Sequence, residues 1–549
     1  MVLNKKYLSL LFIVGISYIS LLPLFHAGLP ITHDGKDHVA RIANFYQNLV
    51  EGNAIPRWAG NLNWGYGHPI LMFLYPLPSY IASLYHALHF SLVDSVKIVF
   101  GLSFIASGAA MFLWLNEFLG EEAGFFGAIL YLFAPYRFVD LYVRGAIGEH
   151  VAFIFPPLVC FFLLKSYLRP SYWNIVGGSF SLAGLLLSHN AMTLMFLPII
   201  ILYAVYLLFQ TKNKKLVAIS YVCIAFFGFG LSSFFVLPAF FEGKYTLRDI
   251  VTKGEEFANS FVSFKDFFYG PWSYGGTGQF TVQIGIIQWT MVLGFIICMF
   301  VKKLRKYERL FFMGVITVFI FTIFMMTSFS HPIWEMVAIL KKFQFPWRFL
   351  SITVFLSAVM GAYVIASVPK KFKGVFLIVF IAITLFLNKD YWHANGYLIE
   401  PEAFFTQIYN GTTDTGESAP IWSIRFMERQ AIAPIEVISG SARLTQTERK
   451  FTKHTYKIEA YKETRIRENT LFFPGWAVLV DGRRVSIEFQ DQLNRGLMTF
   501  YVPKGKHVVQ VLFSETKLRF LADAISIISL VILIFYGILN NVWRRYQLF

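Results

Sequence analysis

Residues 33–78 read HDGKDHVARIANFYQNLVEGNAIPRWAGNLNWGYGHPILMFLYPLP, and they follow the first apolar run, 7–25, directly. Within six positions the stretch places His33, Asp34, Asp37 and His38 where a helix would begin. Asp34 and His38 are four apart, so on a helix both side chains leave from one face. Acidic groups in a first turn also suit the positive end of the helix dipole. Proton acceptors gathered beside a membrane span point to chemistry at the membrane surface. The plainer alternative is that Asp34 caps the helix and Asp37 is solvated.

The chain around this stretch is apolar. Of its 549 residues 56% are hydrophobic and 15% charged, and the mean hydropathy is +0.56, whereas in soluble domains about a quarter of residues are charged. The composition therefore predicts a polytopic α-helical membrane protein. The formal charge of +16 sits largely in short Lys/Arg clusters at the ends of apolar runs, the pattern of membrane orientation, so no nucleic-acid partner is implied. Cys160, Cys223 and Cys298 each lie inside an apolar run, which indicates neither a disulfide framework nor a cysteine zinc site.

Lys5 and Lys6 precede the first run and no small-residue cleavage signature follows it, as in an uncleaved signal anchor with a cytoplasmic amino terminus. Further runs of spanning length lie near 98–116, 122–138, 150–168, 173–190, 191–209, 216–238, 281–301, 309–327, 349–367, 373–388 and 518–540. Alternating crossings put the basic connections 165–169, 212–215, 302–309, 370–373 and 544–545 on one side, the cytoplasm. Parity then excludes 69–90 as a span, since Pro69, Pro76 and Pro78 break it, and it reads as a helix pair leaning on the outer surface. The expectation is about twelve crossings. Four regions gather outside: 33–78, 136–150, 240–280 and 330–348. The predicted organisation is a transmembrane domain at 1–388, an extracytoplasmic β-sandwich-like domain at 389–517, and a last span with a cytoplasmic tail at 518–549. Within the β domain Val480-Asp481-Gly482-Arg483 reads as a hairpin and Pro503-Lys504-Gly505 as a turn.

Asp and Glu largely avoid the middles of the spans and collect in the outer regions, which favours chemistry at the outer face over transport through the core. A carboxylate beside apolar walls can have its pKa raised toward working pH, as a general base requires, and Asp34 suits that role. Arg144, Lys341, Lys342 and Arg348, with Arg57 from the opening stretch, are candidates to hold a phosphate, for which arginine is geometrically suited; interfacial anchoring is the competing reading and the favoured one for the two lysines. A mixed carboxylate and imidazole set suits a divalent ion, with His33, Asp34, His38 and His150 as candidate ligands, but no tight zinc spacing is present. Trp272, Tyr274 and the glycines after them read as a sugar-facing wall, with Trp58, Tyr66, His68 and Trp347 as further substrate contacts. His189 and Asn190 read as a satisfied turn between two spans.

The run D-x-x-x-H-x-x-R at 34–41, then EGNAIPRW, GYGHPILMFLYPLPSY, YVRGAIGEH and FQFPWRF, resembles integral membrane proteins labelled 6-pyruvoyl-tetrahydropterin synthase-related. FFPGWAVLVDGRRV and VPKGKHVVQVLF are similar to the external domain of YfhO-like membrane proteins. Nothing here suggests pterin chemistry. Both groups are placed in the broad GT-C superfamily, and that resemblance implies transfer of a sugar from a polyprenyl-phosphate donor to a glycan, lipid or protein acceptor at the outer face of the cell membrane, usually with inversion. The superfamily's first-loop aspartate falls on Asp34, and Glu149 or Asp140 would fill a second acidic position. The implied catalytic set is Asp34, Asp37, His38 and Glu149, with the base left open between Asp34 and Asp37. Some relatives bind a divalent metal and others do not, so Mn or Mg stays an open cofactor. Two other classes compete: a noncatalytic envelope scaffold or glycan-binding protein, and a transporter of lipid-linked saccharides.

Overall fold

Each of the twelve apolar runs falls on helix in the computed structural model, which describes residues 5–251, 257–276 and 278–546. Among the described residues nine helices are long and apolar enough to cross a membrane: Lys6–Phe25, Leu92–Leu119, Ile147–Leu168, Asn190–Gln210, Lys214–Tyr245, Lys306–Met326, Pro346–Ser367, Lys370–Tyr391 and Lys517–Gly537. A tenth is broken, with Glu121–Leu132 and Pro135–Arg144 meeting at 51°. The break follows from Pro135, which lacks an N–H and holds Ala134 extended at ψ 141°. The two remaining runs are the helices Tyr172–Ser188, of 17 residues, and Ile286–Val301, of 16 residues. Sixteen residues rise only about 24 Å, short of a hydrocarbon core of about 30 Å. Residues 69–90 form a 3-10 turn, Pro69–Met72, and the helix Leu77–Ala87, whose length of about 16 Å is too small to cross.

The helix ends sort into two groups. Lys165 Nζ lies 3.2 Å from Glu117, Ser9 Oγ donates to Glu121 at 2.9 Å, and Tyr307 OH donates to the Phe209 carbonyl at 3.2 Å. These ties bring the basic connections together at one end of the bundle. The opposite end carries the 33–78 stretch, Arg144, His189 and Arg348.

Among the described residues ten strands run in chain order: β1 Leu29–Pro30, β2 Tyr397–Leu398, β3 Ile435–Ser439, β4 Ala442–Arg449, β5 Lys453–Ala460, β6 Thr464–Leu471, β7 Trp476–Val480, β8 Arg483–Val485, β9 Leu497–Val502 and β10 Gly505–Phe513. β4-β5-β10-β7-β8 and β3-β6-β9 form two antiparallel sheets. Alternate residues Tyr456, Ile458, Ile466, Val478, Met498, Phe500, Val509 and Val511 are buried in one core between them, which is a sandwich. The expected hairpin is present: Val480 pairs with Arg483 across Asp481 (φ 50°) and Gly482 (φ 78°), and two positive φ values are what a type I′ turn demands. Pro503-Lys504 carries the chain from one sheet to the other, because β9 and β10 belong to different sheets.

Between the helix Lys370–Tyr391 and β3 the chain is mostly irregular and runs back over the end of the bundle that carries the 33–78 stretch. β2 pairs with β1. Residues 409–421 then form a strap: Tyr409 N–H donates to Asn61 at 2.8 Å, and Asn63 N–H to Gly411 at 2.8 Å. On its other flank Leu247 N–H donates to Ala419 at 2.9 Å, and Ile421 N–H to Tyr245 at 3.0 Å.

Candidate functional site

A cavity of about 840 Å³ opens at the end of the bundle that carries the strap. Its floor is the start of the helix Gly35–Val50, with Asp34, Asp37, His38 and Arg41. Two backbone bonds fix that helix start, from His33 N–H to Val143 and from Asp34 N–H to Arg144, each 3.0 Å. The zipper needs Gly145: its φ is +64°, and a Cβ there would sit 2.2 Å from Thr32 Oγ1. Thr32 Oγ1 instead accepts from Gly35 N–H at 3.1 Å. Asp34 stands at the N-cap position but its carboxylate makes no capping bond, so the capping alternative fails. Its side chain keeps accessible surface that faces the cavity. The surrounding protein displaces enough water to raise its pKa above the usual carboxylate value, against the opposing pull of Arg144 and Arg41.

Asp37 also lines the cavity, but its Oδ1 accepts the Tyr409 hydroxyl at 2.7 Å. His38 is buried, and Arg41 Nη1 lies 3.1 Å from its Nδ1. A guanidinium only donates, so Nδ1 accepts and the ring is neutral. Burial, and then the Arg41 charge, hold the His38 pKa well below its usual value. Arg41 continues to the strap, donating from Nε to Thr413 Oγ1 at 3.2 Å and from Nη2 to the Thr413 carbonyl.

Arg144 and Arg348 reach the cavity, and Glu149 lies behind them. Glu149 is fully buried and takes Arg144 in a two-pronged grip, 2.7 and 2.8 Å, with Arg348 Nε at 3.1 Å and the Tyr136 hydroxyl at 2.9 Å. Arg144 Nη1 also donates to Asp140 at 3.0 Å, and the guanidinium lies 4.7 Å over the Trp347 ring. Glu149 does not line the cavity; its carboxylate instead meets the guanidiniums of Arg144 and Arg348, the geometry of a counter-ion. The same grip neutralises much of the charge Arg144 would offer a phosphate. Arg348, Lys342 and Arg248 are further cations of the lining.

Several expected contacts lie elsewhere. Arg57 is buried against the last helix, paired with Glu515 at 2.8 Å and Asp523 at 2.6 Å and donating to the Phe234 carbonyl at 3.2 Å. It is a strut rather than a phosphate ligand. Trp58 packs edge-on against Trp476, and Tyr66 joins the same sandwich core, its carbonyl accepting Leu471 N–H at 2.9 Å. His68 is fully buried, 3.4 Å from Asp414 of the strap. Trp272 stacks on Tyr391 with ring centres 4.7 Å apart, and Tyr274 donates to the His393 carbonyl at 2.8 Å. Neither lines the cavity; that loop reaches the site through Gly275, whose carbonyl accepts from His33 Nε2 at 2.8 Å. Trp347 does line it. The metal candidates do not converge: His150 is sealed against Phe104 and lies 3.4 Å from Asp140. Among the described residues no three His, Cys, Asp or Glu side chains form a metal-binding group.

Two contributors had no clear signal in the sequence. His189 is more than a satisfied turn: Nδ1 accepts Met192 N–H at 3.2 Å, capping the helix Asn190–Gln210, while Nε2 lies 3.8 Å from Glu149. The strap brings Thr413, Asp414, Thr415 and Glu417 to the cavity wall, from a segment that reads only as the polar start of the β domain.

A family model described as a 6-pyruvoyl-tetrahydropterin synthase related domain, membrane protein, matches residues 71–394. An uncharacterized protein of Lactococcus lactis subsp. cremoris (strain MG1363) is 25% identical over 269 residues, which are 47% of this chain and 43% of the relative; the chain thus spans less than half the length of that relative. Among solved structures, the mycobacterial arabinofuranosyltransferase AftD aligns with a TM-score of 0.44 at 12% identity, over 73% of this chain and 29% of its own. ArnT from Cupriavidus metallidurans, bound to undecaprenyl phosphate, aligns with a TM-score of 0.39 at 12% identity, over 72% of this chain and 67% of its own. The family match covers more than half of the chain, including the broken span and the Arg144–Glu149 cluster, and the chain belongs to the 6-pyruvoyl-tetrahydropterin synthase-related family of membrane proteins.

Proposed function

We propose that the chain is a glycosyltransferase of the cell membrane that moves a sugar from a polyprenyl-phosphate donor to a hydroxyl of a glycan, lipid or protein acceptor at the outer face. One observation carries the reading: a single cavity is lined by Asp34, by Arg248, Lys342 and Arg348, and by an apolar rim. In that rim Phe240 is 74%, Ile339 48% and Leu194 38% exposed, a path along which a polyprenyl chain can leave its head group at the cations. The Lys/Arg connections at the far end belong in the cytoplasm by the positive-inside rule, which turns the cavity outward.

In this scheme the acceptor hydroxyl gives its proton to Asp34 as its oxygen attacks the anomeric carbon. The bond from that carbon to the phosphate oxygen breaks, and the polyprenyl phosphate leaves with the electron pair, its charge met by the cations. A single displacement inverts the anomeric centre. Loss of hydration, which raises the Asp34 pKa, makes it a stronger base, while neutral His38 and the Arg41 bridge hold the helix start in place. Behind the arginines the bundle closes on Phe104, Leu130, Phe133 and Phe153, all fully buried, which counts against a transport path.

The test supplies purified protein in lipid nanodiscs with a panel of radiolabelled polyprenyl-phosphate sugars and compares wild type with Asp34→Asn. Transfer by wild type, slowed about 100-fold or more in the variant, is expected for loss of a general base. Equal transfer by both removes Asp34 from the chemistry, and no transfer from any donor by wild type removes the glycosyltransferase reading.

A further inference from the structure

The cavity holds a carboxylate that no phosphate would choose. Glu417 comes from the strap and lines the cavity together with Arg248 and Arg348; burial and the neighbouring Asp414 raise its pKa, against the opposing pull of the two arginines. One of its oxygens, Oε2, accepts the Thr415 hydroxyl. Among the described residues no other hydrogen bond reaches this carboxylate, although Thr415 and Glu417 both face the cavity.

The strap is built to hold this position. Asp414 closes a tight turn, accepting Gly416 N–H at 2.9 Å and Ser418 N–H at 3.1 Å, with His68 at 3.4 Å. Arg41 pins Thr413 on one side of that turn, and Leu247 bonds Ala419 on the other. A carboxylate fixed among phosphate-holding cations weakens their grip on an anion, so anion binding does not account for it. Two acceptor oxygens beside the phosphate position do match the vicinal hydroxyls of a sugar linked to that phosphate, because ionised acceptors make the stronger hydrogen bonds.

We infer that Glu417 is a sugar-binding, specificity-determining residue, accepting hydroxyls of the lipid-linked sugar while Asp34 serves the acceptor. This rests on the donor class proposed above. It assigns the strap, and through it the β domain, a part in reading the donor.

The test is a binding measurement that needs no turnover: dissociation constants of one radiolabelled polyprenyl-phosphate hexose and of sugar-free polyprenyl phosphate, for wild type, Glu417→Gln and Thr415→Val in nanodiscs. Wild type should prefer the sugar-bearing lipid. Glu417→Gln should weaken that lipid about tenfold or more, the size of a charged hydrogen bond, while sugar-free lipid binds equally well or more tightly because a negative charge has gone. Thr415→Val should act in the same direction with a smaller effect. Equal weakening of both lipids, no change in either, or a wild type blind to the sugar overturns the inference. Wild type that binds and discriminates the donor but does not transfer it removes only the transferase reading; wild type that binds neither lipid removes both.

Discussion

Replacing Glu149 with Gln removes one charge from a cluster in which two guanidiniums depend on it. In the native site the carboxylate accepts two bonds from Arg144, 2.7 and 2.8 Å, one from Tyr136 at 2.9 Å, and lies 3.1 Å from Arg348 Nε. An amide keeps the shape but offers one oxygen and turns an NH2 group toward a cation, so at least one guanidinium loses its acceptor. Glu149 and Arg144 are 0% and 5% exposed, leaving no bulk water to substitute. Breaking a buried pair from one side costs about 3–5 kcal/mol, which is about 100- to 5000-fold in the folded population. Thermal unfolding in nanodiscs should therefore show a clear drop in midpoint for Glu149→Gln. The double variant Glu149→Gln/Arg144→Met should recover only part of the loss, since one unpaired cation is gone but Asp140 loses its 3.0 Å partner and Arg348 keeps no carboxylate. Asp34→Asn should unfold no earlier than wild type, because burial makes the charged form of that group less favourable in the fold than in the unfolded chain. A Glu149→Gln protein as stable as wild type but inactive would refute the counter-ion assignment and return Glu149 to the catalytic set.

The acid limb of transfer against pH should have its midpoint above the ordinary aspartate value of about 3.9, since Asp34 must be ionised to act and burial raises its pKa. Arg41→Met should move that limb to higher pH, because the Arg41 charge favours the carboxylate; an unmoved limb would show that another group titrates. Gly145→Ala should lower transfer more than about tenfold, since it combines a left-handed backbone with a Cβ 2.2 Å from Thr32 Oγ1 beside the bonds that fix Asp34; wild-type rates would show that the zipper yields freely. Arg57→Met should lower the thermal midpoint and expose the sandwich to trypsin with donor KM unchanged, because it strands Glu515 and Asp523; a raised KM would restore Arg57 to the site. Asp37→Asn should slow transfer much less than Asp34→Asn, since Asp37 is already engaged by Tyr409; equal losses would make Asp37 the base.

The helices were legible because hydrocarbon imposes a length and a composition: each apolar run between 7 and 388 became helix, and Pro69, Pro76 and Pro78 marked the segment that stays short. Parity of basic connections gathered the four regions that do meet at the cavity, supplying Asp34, Arg144, Arg248 and Arg348. Partners were harder to read than positions. Nothing in a linear pattern says that Arg57 finds Glu515 and Asp523, more than four hundred residues away, before it can find a ligand. Trp58 and Tyr66 look like sugar contacts by residue type, yet their apolar faces are taken by Trp476 and the sandwich core. Glu149 was legible as important, but an acid five residues from Arg144 can be either a reagent or a counter-ion, and its burial against Arg144 is a tertiary fact that no linear pattern shows.

The strap had no signal because its role is tertiary. Its polar, turn-rich sequence is what any linker shows, and what sets it apart is the set of groups waiting for it: Asn61 and Asn63 on one flank, Tyr245 and Leu247 on the other, and Arg41 from the helix Gly35–Val50. Those groups lie on two stretches of the chain, 41–63 and 245–247, and the strap closes the cavity wall between them. Arg57 to Asp523 and Arg519 to Glu242, 2.6 and 2.8 Å, hold the sandwich and the last helix to the bundle at that place. A linker free to move would leave Arg41 and Asp37 facing water and His38 without its orienting guanidinium. The strap therefore holds Arg41 and Asp37, which share the cavity floor with Asp34, from outside their own helix.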